Sequence, residues 1–487
     1  MTWRLSPFLL FFLAFPDLCA QSSTPDLDQV ELSNGRLLGG LILEETPSQV
    51  RVRLVTRKSG RPTLTSTETF SRAEIRSIKR LPDPAREALV RRLEDLDRQR
   101  ELFLASLRQL DGPSDKKPGI EGIRPTPVAW EDDANQTAWA FDSQFFSLAT
   151  NLREPLAVLV TLQLEEVFRA ISNLIPPRLP GRPIRIRIWA DQAGYLRAVA
   201  RDQPNLEHPA FFDPLSNRIL AGTDLARVEA ETAELRLHHA KQLTILTQRE
   251  SEIQKAMGGR IPQEFADIAT KARRELRDAD QKNTQTVRQS RTRLLQILNH
   301  EAIHGYLGNW VYDRGTRPLP RWLNEGLAQV FETGLIEAGE IRADWPDPSR
   351  LSGVRKMIRD GRFPPLRRIL ADSPDHFLVR GAKSGDNSVG NYPESSDRES
   401  SREAYLASWI VSYHLTFGRK KIPGQDFDKY LESLAAKPGA TNGPPPERST
   451  NIASFETWTG MKIDDFEKEL MDFISRLRSD GTLAPPK

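Results

Sequence analysis

The chain has 487 residues, 38% hydrophobic and 28% charged, with a net charge of +3. That length exceeds one ordinary core and predicts two to four folding units of a soluble globular protein. The small net charge gives no basis for nucleic-acid binding or for attraction to an anionic membrane surface.

Residues 1–20 read as a secretory signal. Arg4 supplies the positive start, 7–15 is a short apolar run, and Leu18-Cys19-Ala20 offers a cleavage site before Gln21. The run is too short to span a bilayer, and no later segment reaches the length of a membrane helix. The protein is therefore expected to be exported, to the periplasm or the medium, with no stable membrane insertion after cleavage. An uncleaved anchor is the alternative. Lipidation of Cys19 is disfavoured by the bulk of Leu18. Cys19 is the only cysteine, so a cleaved chain has no disulfide, no zinc-thiolate site and no thiol nucleophile.

The expected fold class is α+β. Residues 24–82 alternate apolar and polar around an Asn34-Gly35 hairpin turn, which predicts a small antiparallel, barrel-like module closed by Phe70 and Ile75 and able to fold without the rest. Residues 83–127 read as a helix and linker: Asp83 and Pro84 open the helix, Leu89, Leu93, Leu96, Phe103, Leu107 and Leu110 give it a stripe, and 112–127 is the linker. Residues 128–223 read as an α/β unit, with a helix over 156–174, a strand at Ile184, Ile186 and Ile188 with arginines between, and a hairpin from 211 to 221. Residues 224–292 are charged and poor in β-formers, which predicts an inserted hairpin of two long helices. Its His238 and His239 fit a solvated face better than a metal site. Residues 293–336 carry the chemistry described next. Residues 337–480 read as a helical subdomain with polar loops at 384–401 and 438–446 and amphipathic helices over 427–434 and 463–477.

Residues 299–304 read Asn-His-Glu-Ala-Ile-His and contain H-E-x-x-H. Leu294, Leu295, Ile297 and Leu298 precede the motif without a breaker, so it lies on a helix. His300 and His304, four apart, share a face and can present two imidazoles to one ion. Glu301 is turned by about 100° from His300, which sets its carboxylate beside the metal where it can hold a water. A catalytic zinc needs three protein ligands and an open position. Glu325 follows His304 after twenty residues, on a second helix expected to start near Pro320 and to run antiparallel to the first. Gly326 and Ala328 suggest close approach of those two helices.

The stretch 300–309 (HEAIHGYLGN) followed by 322–328 (WLNEGLA) resembles the gluzincin metallopeptidases, the thermolysin-like group that includes the zinc aminopeptidases. The resemblance implies a thermolysin-like core of small mixed sheet plus helical subdomain, with Zn2+ held by His300, His304 and Glu325, Glu301 as general base and Glu332 as a carboxylate that orients a ligand histidine. The resemblance also implies that Asn324, the adjoining position of the Asn-Glu-Gly segment, supports the ligands from behind. Tyr405, opening the segment 405–418, matches the tyrosine that donates to the oxyanion in the aminopeptidase branch; a core aromatic is the other reading. The Gly-x-Met-Glu-Asn strand of the aminopeptidases is absent, so recognition of a free substrate amine does not carry over. The motifs cover about a quarter of the chain. The whole chain also resembles a group of secreted bacterial proteins with a gluzincin-like core, which implies no substrate.

The expectation is thus an exported zinc peptidase acting on a peptide or protein substrate. The alternative is a catalytically silent binding or scaffold protein that retains the metal site. His208, His376 and His414 carry no role in this reading, and the sequence assigns no oligomeric state.

Overall fold

Alternation from residue 28 onward builds the first sheet. β1 (Asp28–Leu32), β2 (Leu37–Glu45), β3 (Gln49–Thr56), β4 (Leu64–Ser71) and β5 (Ile75–Lys79) are antiparallel, in the order β4-β3-β2-β1-β5. The computed structural model describes residues 26–111, 124–200, 208–312, 319–371, 396–434 and 449–485. Gly35 turns β1 into β2 at φ 82°, a backbone conformation that costs glycine little. Val30, Leu38, Ile42, Val50 and Val52 form a small core, with Phe70, Ile75 and Ile78 against it. β4 and β5 stand at opposite ends of the sheet, yet only the 3-10 turn Arg72–Glu74 separates them. Three residues cannot span a flat five-stranded sheet, so the sheet must curl until its ends approach. No ladder joins β4 to β5 among the described residues. The expected barrel is therefore a curled open sheet; β4, rich in Ser, Thr and Glu and largely exposed, offers little apolar surface for closure.

α1 (Asp83–Asp111) covers this sheet with Leu89 and Leu93, which pack on Leu41 and Val55. Farther along, Leu102 lies against Val158 and Leu162 of α2 (Glu154–Leu174). A buried charge network also ties the module to the short hairpin β12 (Leu335–Glu337) and β13 (Glu340–Arg342). Arg57 and Arg92 both bond Glu340, while Thr63, Arg100 and Arg342 surround Glu337. The Arg342 and Glu337 side chains are only 5% and 9% exposed.

The second sheet runs β10-β11-β9-β8-β7-β6, from β6 (Thr126–Trp130), β7 (Asp133–Asp142), β8 (Phe146–Thr150), β9 (Ile184–Trp189), β10 (Ala210–Asp213) and β11 (Arg218–Gly222). β9 is parallel to β8 and β11, and the outer pairs are antiparallel. Thr126 and Pro127 are strand, not linker; most of the expected linker lies outside the described residues. Ile184, Ile186 and Ile188 point into the core, as their alternation with arginine requires. α3 (Gln192–Ala200) follows β9.

α4 (Leu225–Ala256) and α5 (Gln263–Tyr306) make the expected hairpin, bridged by polar pairs such as His239 Nδ1 with Asp280 Oδ1 at 2.6 Å and Arg236 with Thr284 at 2.7 Å. The division expected between 292 and 293 is not there. α5 runs 44 residues without interruption from the hairpin tip into the metal motif. From 263 to 304 the chain has no glycine or proline, so nothing stops the helix. At Gly305 an added Cβ would strike Ile184, which shows how closely α5 lies on β9.

α6 (Arg321–Phe331) starts after Pro320. Beyond the β12–β13 hairpin, which the sequence reading missed, come α7 (Pro348–Arg359), α8 (Leu366–Leu370), α9 (Ser396–Tyr413), α10 (Gln425–Leu434), α11 (Ser449–Thr459) and α12 (Ile463–Arg476). α9 takes the end of the loop expected at 384–401; the rest of that loop, the loop at 438–446, His376 and the signal segment lie outside the described residues. One continuous core includes Leu164 and Phe168 of α2, Leu298 and Ile303 of α5, Trp322 and Leu327 of α6, and Trp409 of α9. Among the described residues no helix is long and apolar enough to cross a membrane.

Candidate metal centre

The last two turns of α5 present His300 and His304 toward α6. Their rings meet edge to face, 4.6 Å between centroids, as the i, i+4 spacing demands. The two Nε2 atoms are 3.0 Å apart. Glu325 Oε2, from the first turns of α6, is 3.7 Å from the first and 3.6 Å from the second. With zinc–ligand bonds near 2.0–2.1 Å, the edges of a coordination tetrahedron are about 3.3–3.4 Å. The three atoms therefore have the spacing of one face of such a tetrahedron. These are the only three His, Asp, Glu or Cys side chains among the described residues that converge in this way.

The surroundings favour a positive charge at the triangle. Burial works against charge on His300, but its contacts with Glu325 and Glu332, and the nearby Glu301, outweigh it and hold the imidazole well above the usual histidine range. Burial alone would raise Glu325; the charge of His304 and the contacts with both imidazoles hold it well below the usual carboxylate range instead. Two ring nitrogens and a carboxylate oxygen this close need a proton or a cation among them. The donor set, two imidazoles and a carboxylate, is one that zinc takes in catalytic sites.

Glu332, the C-cap of α6, places Oε2 2.6 Å from His300 Nδ1. That bond assigns the proton to Nδ1 and leaves Nε2 as the lone-pair donor facing the triangle. Burial opposes the charge on Glu332, yet the bond to His300 and the Arg350 guanidinium hold its carboxyl below the usual range. Arg350, from α7, bonds the other carboxylate oxygen of Glu332 and also donates to the Gln329 carbonyl at 2.9 Å. Asn299 receives a bond from Gln163 of α2 at 3.2 Å and reaches the Glu332 carbonyl at 3.5 Å.

Glu301 makes no hydrogen bond or ion pair with a described residue, but its charge acts on His300, Tyr405 and Tyr195. Its carboxylate thus stands beside the triangle, uncommitted to any structural partner among the described residues. Tyr405, on α9, is also brought to the site: burial, then the charge of Glu325, push its phenol above the ordinary value, while a bond with Arg321 pulls the other way. Tyr195 donates to the His208 carbonyl at 2.6 Å.

Asn324 is not brought in. It makes a backbone bond to the Pro320 carbonyl at 3.0 Å in the first turn of α6 and no side-chain hydrogen bond to the triad. The close approach expected from Gly326 is real but involves a different helix. An added Cβ would run into Ser412 Oγ and the Ser408 carbonyl of α9, so this glycine seats α6 on α9 rather than on α5. His414 is buried, bonds Glu469 at 3.0 Å and is not part of the triad.

Sequence reading missed Arg350, Asn299, Gln163 and Arg321. Asn299 adjoins the motif and Arg321 opens α6, which are weak signals. Arg350 has none, because its partners lie 18 and 21 residues away on another helix. No family model matches the chain, and neither a curated protein nor a solved structure matches it.

Proposed function

We propose that the protein is an exported zinc-dependent peptidase with a thermolysin-like catalytic core, in which His300, His304 and Glu325 hold the ion and Glu301 is the general base. One observation carries the reading: the triangle of two Nε2 atoms and Glu325 Oε2, with sides of 3.0, 3.6 and 3.7 Å, next to a carboxylate that bonds no described residue. A bound zinc ion would supply Lewis acidity, polarising a substrate carbonyl and lowering the pKa of water toward about 7.

The chain's own groups do the rest. Glu301 takes a proton from the attacking water and returns it to the leaving amine. Tyr405 donates its phenolic proton toward the charge that develops on the carbonyl oxygen, while Arg321 holds the phenol in place. Glu332 keeps the His300 ring in the tautomer and orientation that a ligand needs. Among the described residues β10 ends the second sheet, and it packs beside α5.

The test is metal analysis of the purified mature protein, followed by digestion of a peptide library with and without chelator. The expected result is about one zinc per chain and cleavage that stops with chelator and returns with zinc. Protein that carries zinc but cleaves no peptide would instead support the silent binding or scaffold reading. Protein that takes up no zinc would overturn both.

A further inference from the structure

We infer that Arg350 is a positioning residue for the metal centre: it fixes the Glu332 carboxylate, which in turn fixes the His300 imidazole. The inference rests on the proposed zinc site. It adds a residue from a third helix, outside the two that supply the ligands.

The chain of contacts is continuous. Asp347 caps α7 and accepts from the Arg350 backbone N–H at 2.8 Å, which anchors the start of the arginine. One arm of the guanidinium bonds Glu332 Oε1, and the other donates to the Gln329 carbonyl at 2.9 Å. Glu332 Oε2 is then left for His300 Nδ1, at 2.6 Å. Each carboxylate oxygen thus has one partner, and the carboxylate cannot rotate without breaking a charge-assisted bond. The side chains of Arg350, Glu332 and His300 are only 20%, 17% and 19% exposed, so water competes weakly for these bonds.

The position of Glu332 explains why a third helix is needed. It is the C-cap of an eleven-residue helix, and the last carbonyls of a helix have no partner within it. Arg350 supplies one to Gln329, and Asn299 reaches the Glu332 carbonyl. The planar fork of arginine serves the helix end and the carboxylate from two separate nitrogens, whereas a lysine must serve both from one.

Three roles for Arg350 predict different outcomes of its removal. If it positions Glu332, zinc binding weakens, as is usual when a partner of a ligand histidine is lost, by about 10- to 100-fold. If it acted only as a distant positive charge, its removal would strengthen the binding of a cation. If it only capped α6, its effect would be independent of Glu332.

The experiment measures the zinc dissociation constant by chelator competition for the parent, R350Q, R350K, E332Q and the R350Q/E332Q double variant, with thermal unfolding of each metal-free form. We expect R350Q to weaken zinc about 10- to 100-fold, R350K to fall between it and the parent, and the double variant to bind no more weakly than the worse single variant. Zinc binding by R350Q as tight as the parent's, or tighter, overturns the inference; so do losses that multiply in the double variant. If R350Q does not fold, R350K and R350K/E332Q carry the same cycle with the charge retained. A parent that binds no zinc defeats the proposed function itself, whereas a parent that binds zinc with an unaffected R350Q defeats only the role of Arg350.

Discussion

Replacing Glu301 by glutamine separates chemistry from architecture. Glutamine keeps the shape of the side chain but cannot accept a proton at neutral pH. Because Glu301 has no hydrogen-bonded or ion-paired partner among the described residues, the substitution breaks no structural contact, and stability should change by no more than about 0.5 kcal/mol. His300, His304, Glu325 and the bond from Glu332 are untouched, so zinc should stay bound. A general base is typically worth about 100- to 10,000-fold in rate, or about 2.7 to 5.5 kcal/mol in the barrier. The assay is kcat/KM on a peptide cleaved by the parent, with zinc content and melting temperature measured on the same preparation. Cleavage by E301Q at the parental rate, with zinc bound, would falsify the assignment of Glu301 as base.

The other predictions test ligand, donor, scaffold and export. Glu325→Ala should lose the metal, since two imidazoles alone make a weak site; zinc retained at parental affinity after dialysis against chelator counts against Glu325. Tyr405→Phe should lower kcat while leaving KM nearly unchanged, because a donor used mainly in the transition state contributes little to ground-state binding; unchanged kcat returns Tyr405 to the core. Glu337→Ala should cost about 3–5 kcal/mol, because it strands the buried Arg342, and a melting temperature within a degree of the parent refutes that. The folded-state pKa of Glu337 lies below the usual 4.5 because its bonds with Thr63, Arg100 and Arg342 outweigh the opposing effect of burial. Its stabilisation is therefore present above that value and is lost as pH falls below it, which acid titration of parent and variant will resolve. N-terminal sequencing of the purified protein should begin after residue 20 if the proposed export holds; a start at Met1 or Thr2 refutes signal removal.

Local regularities carried much of the fold. The Asn34-Gly35 turn, the isoleucines alternating with arginines at 184–188 and the breaker-free run from 263 to 304 each encode structure within a few residues. The metal motif is legible for the same reason: His300 and His304 share a helix face whatever surrounds them. Glu325 could be placed only by joining that face to a second helix after Pro320, and the resemblance to a metallopeptidase family made the choice.

Other features were decided by packing between distant segments. The hairpin and the helix of the H-E-x-x-H motif are one helix because no residue interrupts them, yet the hydrophobic pattern changes from solvated to buried along it, and that change was read as a boundary. Gly326 signalled close packing, but a glycine does not say which neighbour will approach, and α9 took the place expected of α5. The Arg57–Glu340 and Thr63–Glu337 contacts, which key the N-terminal module to the β12–β13 hairpin, join residues 283 and 274 apart. The sequence alone determined which side chains could bind a metal, because ligand chemistry and helical spacing are local. Only the tertiary structure decided how those side chains are held, because Arg350, Asn299 and Gln163 act through contacts that exist only once α2, α5, α6 and α7 are packed together.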